Sequence, residues 1–429
     1  MTSKRPRIFY GWLIVFASAV GLFLGAPLMV FSFSVFFKSL VLDFHASRAA
    51  VSFAFSLFNF VGALWLPGTG VLIDRFGAKR VILVSTLLFG LVLCSAWWVG
   101  SGLWQLYLLF AVLGIAMSSG PAPVPYGVVI SHWFDRHRGL ALGLSMMGIG
   151  IGSIVVPMLA QRLITIFGWR MAFAIFGAAV LLLPLPVLAA FLQNDPSQRG
   201  LQPDGDERNQ ASELRQDKQG LTWHEIWHSP TFWIMICIFS LAGAGVHGAI
   251  LHMSAIFTDK GVTAERAAIA TSLVGAGALL GRLCSGYLLD RLFAPRVAIL
   301  FYGATALGMA ILCAGNIGTI ALASSFLVGL GMGAEVETMG YMISRYFGLR
   351  AFGTAYGHAF GSYMLAGAAG VFLMGAGYDR FHSYTVPLAG FCGAMLLTLI
   401  LLTRLGPYRY GVEAETNQPI KPIEVPSGA

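Results

Sequence analysis

Long apolar runs alternate with short polar connections along the whole chain. A helix needs about 20 mostly apolar residues to cross a hydrocarbon layer of ~30 Å. Runs of that kind cover 11–36, 49–72, 80–99, 103–131, 139–161, 171–192, 232–257, 267–289, 297–314, 317–344, 351–377 and 384–403. The bilayer has no water to satisfy backbone groups, so each run must be helical. The pattern predicts an all-α membrane protein of twelve transmembrane helices in two six-helix bundles. The first bundle takes residues 1–192 and the second 231–405, joined by a linker over 193–230 and followed by a tail over 406–429.

Composition strengthens this reading. Hydrophobic residues make up 57% of the 429 and charged residues only 11%, with a mean hydropathy of +0.76. A soluble chain carries roughly a quarter charged residues. Of the 27 Lys and Arg, loop parity puts 19 on the side of the N-terminal tail, 7 on the other side and Arg282 within a span. Positive residues accumulate in the cytoplasm. The expectation is therefore a multi-pass protein of a bacterial-type plasma (inner) membrane, with both termini and the linker cytoplasmic. The net charge of +8 follows from that topology and has anionic headgroups as its partner, not nucleic acid.

Lys4, Arg5 and Arg7 before the first run raise the question of a signal peptide. The run is longer than a signal h-region and lacks a small-residue cleavage site, so the expectation is a retained first helix. Cys94, Cys237, Cys284, Cys313 and Cys392 all fall within spans. They read as small buried hydrophobes, with neither a disulfide framework nor metal-site spacing. The 193–230 segment mixes acids with bases and reads as a flexible linker. Trp223, Ile226 and Trp227 form an amphipathic entry to the seventh span, and the tail from Gly411 reads as disordered.

The two halves echo one another, as transporter repeats do. After the second span the chain runs from Gly70 through Asp74, Arg75, Gly77 and Lys79 to Arg80, and after the eighth from Gly286 to Asp290, Arg291 and Arg296. After the fourth comes Trp133-Phe-Asp-Arg-His-Arg-Gly139, and after the tenth Arg345-Tyr-Phe-Gly-Leu-Arg350. In the first echo Gly70 allows close helix approach, Gly77 permits a tight turn, and Asp74 can accept from amides at a neighbouring helix N-terminus. Gly70, Asp74, Arg75, Gly77, Arg80, Asp290 and Arg291 are thus expected to govern conformational change. Glycines around 143–152 and 275–286 would let helices pack closely and rock.

The Gly70–Arg80 segment resembles the signature between the second and third helices of the major facilitator superfamily. More narrowly, the chain resembles the monocarboxylate transporters and their oxalate/formate-antiporter relatives. Tyr10-Gly11-Trp12, Phe33–Phe37, Trp133–Gly143, Gly168-Trp169-Arg170 and Gly281-Arg282 carry that likeness. The resemblance implies a central cavity that opens alternately to each side.

Charge placement points to a site without the family. Only Arg282, Glu335 and Glu337 lie well inside a span, where a charge costs at least ~2.5–3.5 kcal/mol and so normally faces a cavity. Counting along the spans places Arg282, Glu335, Glu337, His358 and His247 in one layer of the second half. Arg282 is a fixed cation that can hold a carboxylate bidentately, or else pair with one of the acids. In monocarboxylate transporters the matching Arg binds the substrate carboxylate. Tyr126, His247 and Tyr341 are further candidates for substrate binding. Glu335, Glu337 and His358 are candidates for proton coupling; the two acids point ~200° apart, so at most one should face the cavity.

Two departures bear on the carry-over. Phe31 stands where animal monocarboxylate transporters have a Lys, and Ala278 where they have an Asp one turn before the Arg. The oxalate/formate pattern adds a second cation, where this chain has His358. One fixed cation suits a monoanion. The expectation is a transporter moving a small monocarboxylate of lactate or pyruvate kind with a proton, the driving ion being H⁺ without any cofactor or metal, and a monomer as the functional unit. The alternative is an organic anion exchanger. A drug or sugar transporter and an enzyme lack the supporting residues, and an anion sensor would need a cytoplasmic output domain for which the 193–230 segment is too short.

Overall fold

The computed structural model describes residues 9–46, 48–205, 220–314 and 319–410. The N-terminal basic residues, the middle of the linker and the tail beyond Tyr410 lie outside these described residues.

Every regular element described is helical. Ten stretches are long and apolar enough to cross a membrane. One of them, Arg138–Phe191, has 54 residues, far more than one crossing needs. It turns at Gly168, whose φ of 78° is open to glycine and strained for other residues, and so makes two passes. Thr319–Phe347, with 29 residues and both mid-span acids, is a further helix of spanning length. The described residues therefore accommodate the twelve expected passes.

In chain order the helices are α1 (Gly11–Leu22), α2 (Phe33–Asp43), α3 (Arg48–Phe76), α4 (Ala78–Ser95), α5 (Leu103–Ser119), α6 (Pro123–Trp133), α7 (Arg138–Leu182) and α8 (Pro184–Phe191). After the linker come α9 (Trp223–Trp227), α10 (Pro230–Asp259), α11 (Ala264–Leu289), α12 (Ala294–Cys313), α13 (Thr319–Phe347), α14 (Phe352–Phe381) and α15 (Thr385–Thr403).

Several predicted spans are broken. The first is α1 and α2 joined through a π-helical turn at Pro27–Phe31, because a proline withholds an amide from the regular ladder. The fourth is α5 and α6, separated at Gly120-Pro121, with α6 opening on Pro123 where a missing amide costs nothing. The described ends of the linker, 193–205 and 220–230, are more ordered than its composition suggests. Asp204 accepts from the amides of Asp135 (2.8 Å) and Arg136 (2.7 Å). Asn194 accepts from the Lys79 amide (2.7 Å), and Thr222 and Glu225 form a capping box that starts α9.

One continuous apolar core includes buried residues from both halves of the chain. A second core, drawn only from residues 24–180, fills part of the first half. The close approaches between halves pair α3 with α14 and α7 with α11, near the ends that face the linker. A Cβ at Gly70 would collide with the Gly353 carbonyl, and one at Gly139 with that of Gly286. On this linker side the halves are shut against each other.

Candidate functional site

Two groups of charged residues sit between the helices, at different depths. The first closes the linker side. Asp74, at the end of α3, accepts from the amides of Gly353 (3.0 Å) and Thr354 (2.9 Å) and from the Thr354 hydroxyl (2.6 Å) at the start of α14. Asp290, just past α11, accepts from Gly139 (2.5 Å) and Leu140 (2.8 Å) at the start of α7. Each acid thus caps the positive end of a helix from the other half, and the internal repeat makes the two arrangements mirror one another. Gly77 supplies the turn after Asp74 with φ 82°. Arg75 stacks over Phe76 and Arg291 over Tyr287.

Between these two caps, Asp135 receives Arg345 at 2.6 Å and Arg138 at 3.3 Å. Arg345 also donates to the Asp135 carbonyl (2.6 Å) and the Tyr341 hydroxyl (3.2 Å). Arg138 donates to the Ser344 hydroxyl (2.7 Å) and to the carbonyls of Phe134 and Ser131. Burial raises the Asp135 carboxyl, but Arg138 and Arg345 outweigh it and hold the group below the usual carboxylate range. Asp290, which has amides but no arginine as direct partner, is pushed up by burial to about 6. A cavity of about 350 Å³ lies beside this latch, bounded by Ser131, Arg138, Asp195 and Arg345.

The second group lies deeper. Arg282 is half-buried on α11 and donates to the Met146 carbonyl of α7 at 3.1 Å. Glu335 and Glu337 on α13 are both buried. Tyr363 of α14 donates to one Glu335 oxygen at 2.6 Å. The other Glu335 oxygen and both oxygens of Glu337 have no hydrogen-bond partner. Among the described residues no ion pair joins Arg282 to either acid, so the pairing considered from the sequence is not made in this arrangement. The Arg282 charge nevertheless acts on both carboxyl groups, as do theirs on the buried Tyr302 of α12.

Height along a helix does not fix direction around it, and the other expected residues face different ways. His358 faces away from Arg282: its ring stacks on Trp223 at 4.3 Å and meets Trp227 at 5.8 Å. Tyr341 belongs to the latch, bonded to Arg345. His247 lies half-buried on α10, bonded to the Gly243 carbonyl (3.0 Å) and packed edge-on against Tyr363 with centroids 5.3 Å apart. Tyr126 is fully buried on α6, its hydroxyl against Gly21 with the Thr86 hydroxyl beside it. Tyr363 and Tyr302 were missed, because a tyrosine in an apolar helix carries no signal of its partner. The latch residues had one in the echoed segments 133–139 and 345–350.

Comparison with known proteins agrees with this architecture. The chain is 27% identical over 367 residues to the MFS transporter asaE of Aspergillus flavus, covering 82% of this chain and 76% of that one. It is 27% identical over 314 residues to monocarboxylate transporter 13 of Bos taurus, covering 72% and 68%. The proton:xylose symporter XylE superposes with a TM-score of 0.77 at 16% identity, over 94% of this chain and 97% of that one. FucP in its outward conformation gives 0.67 at 16% identity, over 92% and 98%. At such identities the structures speak for the fold alone. The family model of the Major Facilitator Superfamily matches residues 11–312 and 238–425, and with its helices, its repeats and its latch the chain belongs to that superfamily of membrane transporters.

Proposed function

We propose that the chain is a secondary active transporter that carries a small monocarboxylate of lactate or pyruvate kind together with a proton by alternating access. The observation that carries this reading is the trio of Arg282, Glu335 and Glu337: a fixed cation and two buried acids at one depth, without an ion pair between them. Buried charge is costly unless it is compensated. A site with its cation not yet claimed by a carboxylate suits a substrate that brings one. The guanidinium would hold the substrate carboxylate through paired N–H donors, and a proton taken up on Glu335 would accompany it. His247 and Tyr126 are proposed to shape the substrate end of the site.

The similarity to proteins named monocarboxylate transporters supports the substrate class. A single guanidinium favours one carboxylate over two, since His358 is turned to the tryptophans of α9. The latch supports the alternating part. Asp74, Asp290 and the Asp135–Arg345 pair hold the linker side shut, and their release would open it; Gly70, Arg75, Gly77, Arg80 and Arg291 would support the rearrangement. The positive-charge bias supports a cytoplasmic linker and cytoplasmic termini in a bacterial-type plasma membrane, and the monomer is proposed as the working unit.

Uptake of labelled lactate, pyruvate, formate and oxalate into proteoliposomes, with and without an inward proton gradient, tests the proposal. The expected result is uptake of a monoacid stimulated by the gradient. Uptake that requires an anion trapped inside identifies an exchanger instead.

A further inference from the structure

On the side of the membrane away from the linker, two thiols face each other. Cys313 ends α12, and Cys392 lies about two turns into α15, which descends from the same side. Their sulfurs stand 3.9 Å apart, with Cys313 also 3.9 Å from the Thr385 carbonyl at the head of α15. A disulfide brings sulfurs to ~2.05 Å, so closing the pair takes a movement of about 2 Å. The Lys260 ammonium donates to the Leu312 carbonyl, which sets a cation beside Cys313. Reactive cysteines are found in electropositive, partly exposed surroundings of this sort. Both thiols are half-buried rather than enclosed.

We infer that Cys313 and Cys392 are a redox pair that closes to an intramolecular disulfide under oxidising conditions. With the linker in the cytoplasm, the pair would face the compartment in which disulfides persist. The chemistry is ordinary thiol–disulfide exchange. The Cys313 thiolate attacks one sulfur of a small-molecule disulfide such as glutathione disulfide and expels one glutathione thiolate. The Cys392 thiolate then attacks the Cys313 sulfur and expels the second. The two protein thiols lose two protons and two electrons, and the electrons leave on two molecules of glutathione. The new bond links two helices that already pack together, so it stiffens the second half without spanning the two halves that move.

Full-length protein in proteoliposomes is treated with glutathione disulfide, or with membrane-permeant diamide so that access is not a factor. It is then acid-quenched, unfolded and labelled with a maleimide. The chain has five cysteines; the labelled number is expected to fall by two, with a cross-linked peptide pair containing residues 313 and 392 and restoration by dithiothreitol. Thermal unfolding of the oxidised protein shifts upward, because a cross-link limits the unfolded chain. Cys313→Ser and Cys392→Ser each abolish both changes while remaining folded. Full labelling after both oxidants, a retained glutathione adduct without a cross-link, or a cross-link between two chains would each overturn the inference.

Discussion

The latch at the linker side and the site at mid-depth handle buried charge in opposite ways. In the latch, Asp135 has two guanidinium partners, both arginines have carbonyls or hydroxyls besides, and Asp74 and Asp290 each have backbone amides. At the deeper site three carboxyl oxygens lack a partner and the arginine has one backbone carbonyl. A cluster whose charges are compensated by the protein holds a conformation. Under the proposed function, the uncompensated cluster is the one that meets the substrate. Both clusters are built from arginines and acids of the same kind; satisfaction of their polar groups separates them.

The contrast can be broken at either end. Glu335→Gln at the deeper site should reduce gradient-driven uptake to the rate seen without a gradient while leaving counterflow intact, which a transport assay run in both modes would read. At the latch, Arg345→Gln removes the shortest partner of Asp135. Breaking a buried pair costs about 3–5 kcal/mol, the low end applying here because Arg138 remains. Spin labels at the linker-side ends of α3 and α14 should then report a wider separation. Tyr363→Phe takes away the only donor to Glu335 among the described residues. A hydrogen bond to a charged group is worth about 1.5–3 kcal/mol, so gradient-driven uptake should fall by roughly 10- to 150-fold while substrate binding changes little.

Smaller effects sharpen the picture. Burial raises the Asp290 carboxyl from 3.8 to about 6. The folded protein therefore binds this proton more readily than the unfolded chain, and the group's contribution makes stability fall as pH rises between those two values and level off above. Asp290→Asn should remove that slope from thermal unfolding measured across the interval. His358→Ala removes a stack on Trp223, worth about 0.5–1.5 kcal/mol. It should lower the unfolding midpoint slightly and leave the pH dependence of uptake unchanged; loss of that dependence would return His358 to the coupling machinery.

Much of the fold was legible because hydrophobic length is dictated by the bilayer. The positions of Arg282, Glu335 and Glu337 were legible for the same reason: a charge in such a run stands out. The breaks at Pro27–Phe31 and Gly120-Pro121 were less so, since a proline in an apolar run can kink a helix or end it, and tertiary packing decides. The Asp74 and Asp290 caps were foreshadowed by the echoed motifs. Direction around the helix was not. Tyr341 and His358 share a height with true neighbours of Arg282 or lie near it, yet one turns to Arg345 and the other to Trp223. Tyr363 was invisible until α14 was seen to lie against α13.

Arg282 is the residue on which the proposed transport turns. Wild-type and Arg282→Gln proteins can be compared in proteoliposomes for uptake of a labelled monocarboxylate under an inward proton gradient, with equilibrium binding of the same compound measured in parallel. The variant should fold and insert but lose both binding and uptake to background. Binding and gradient-driven uptake that survive the substitution would contradict it, and would make Arg282 a support for α7 through Met146.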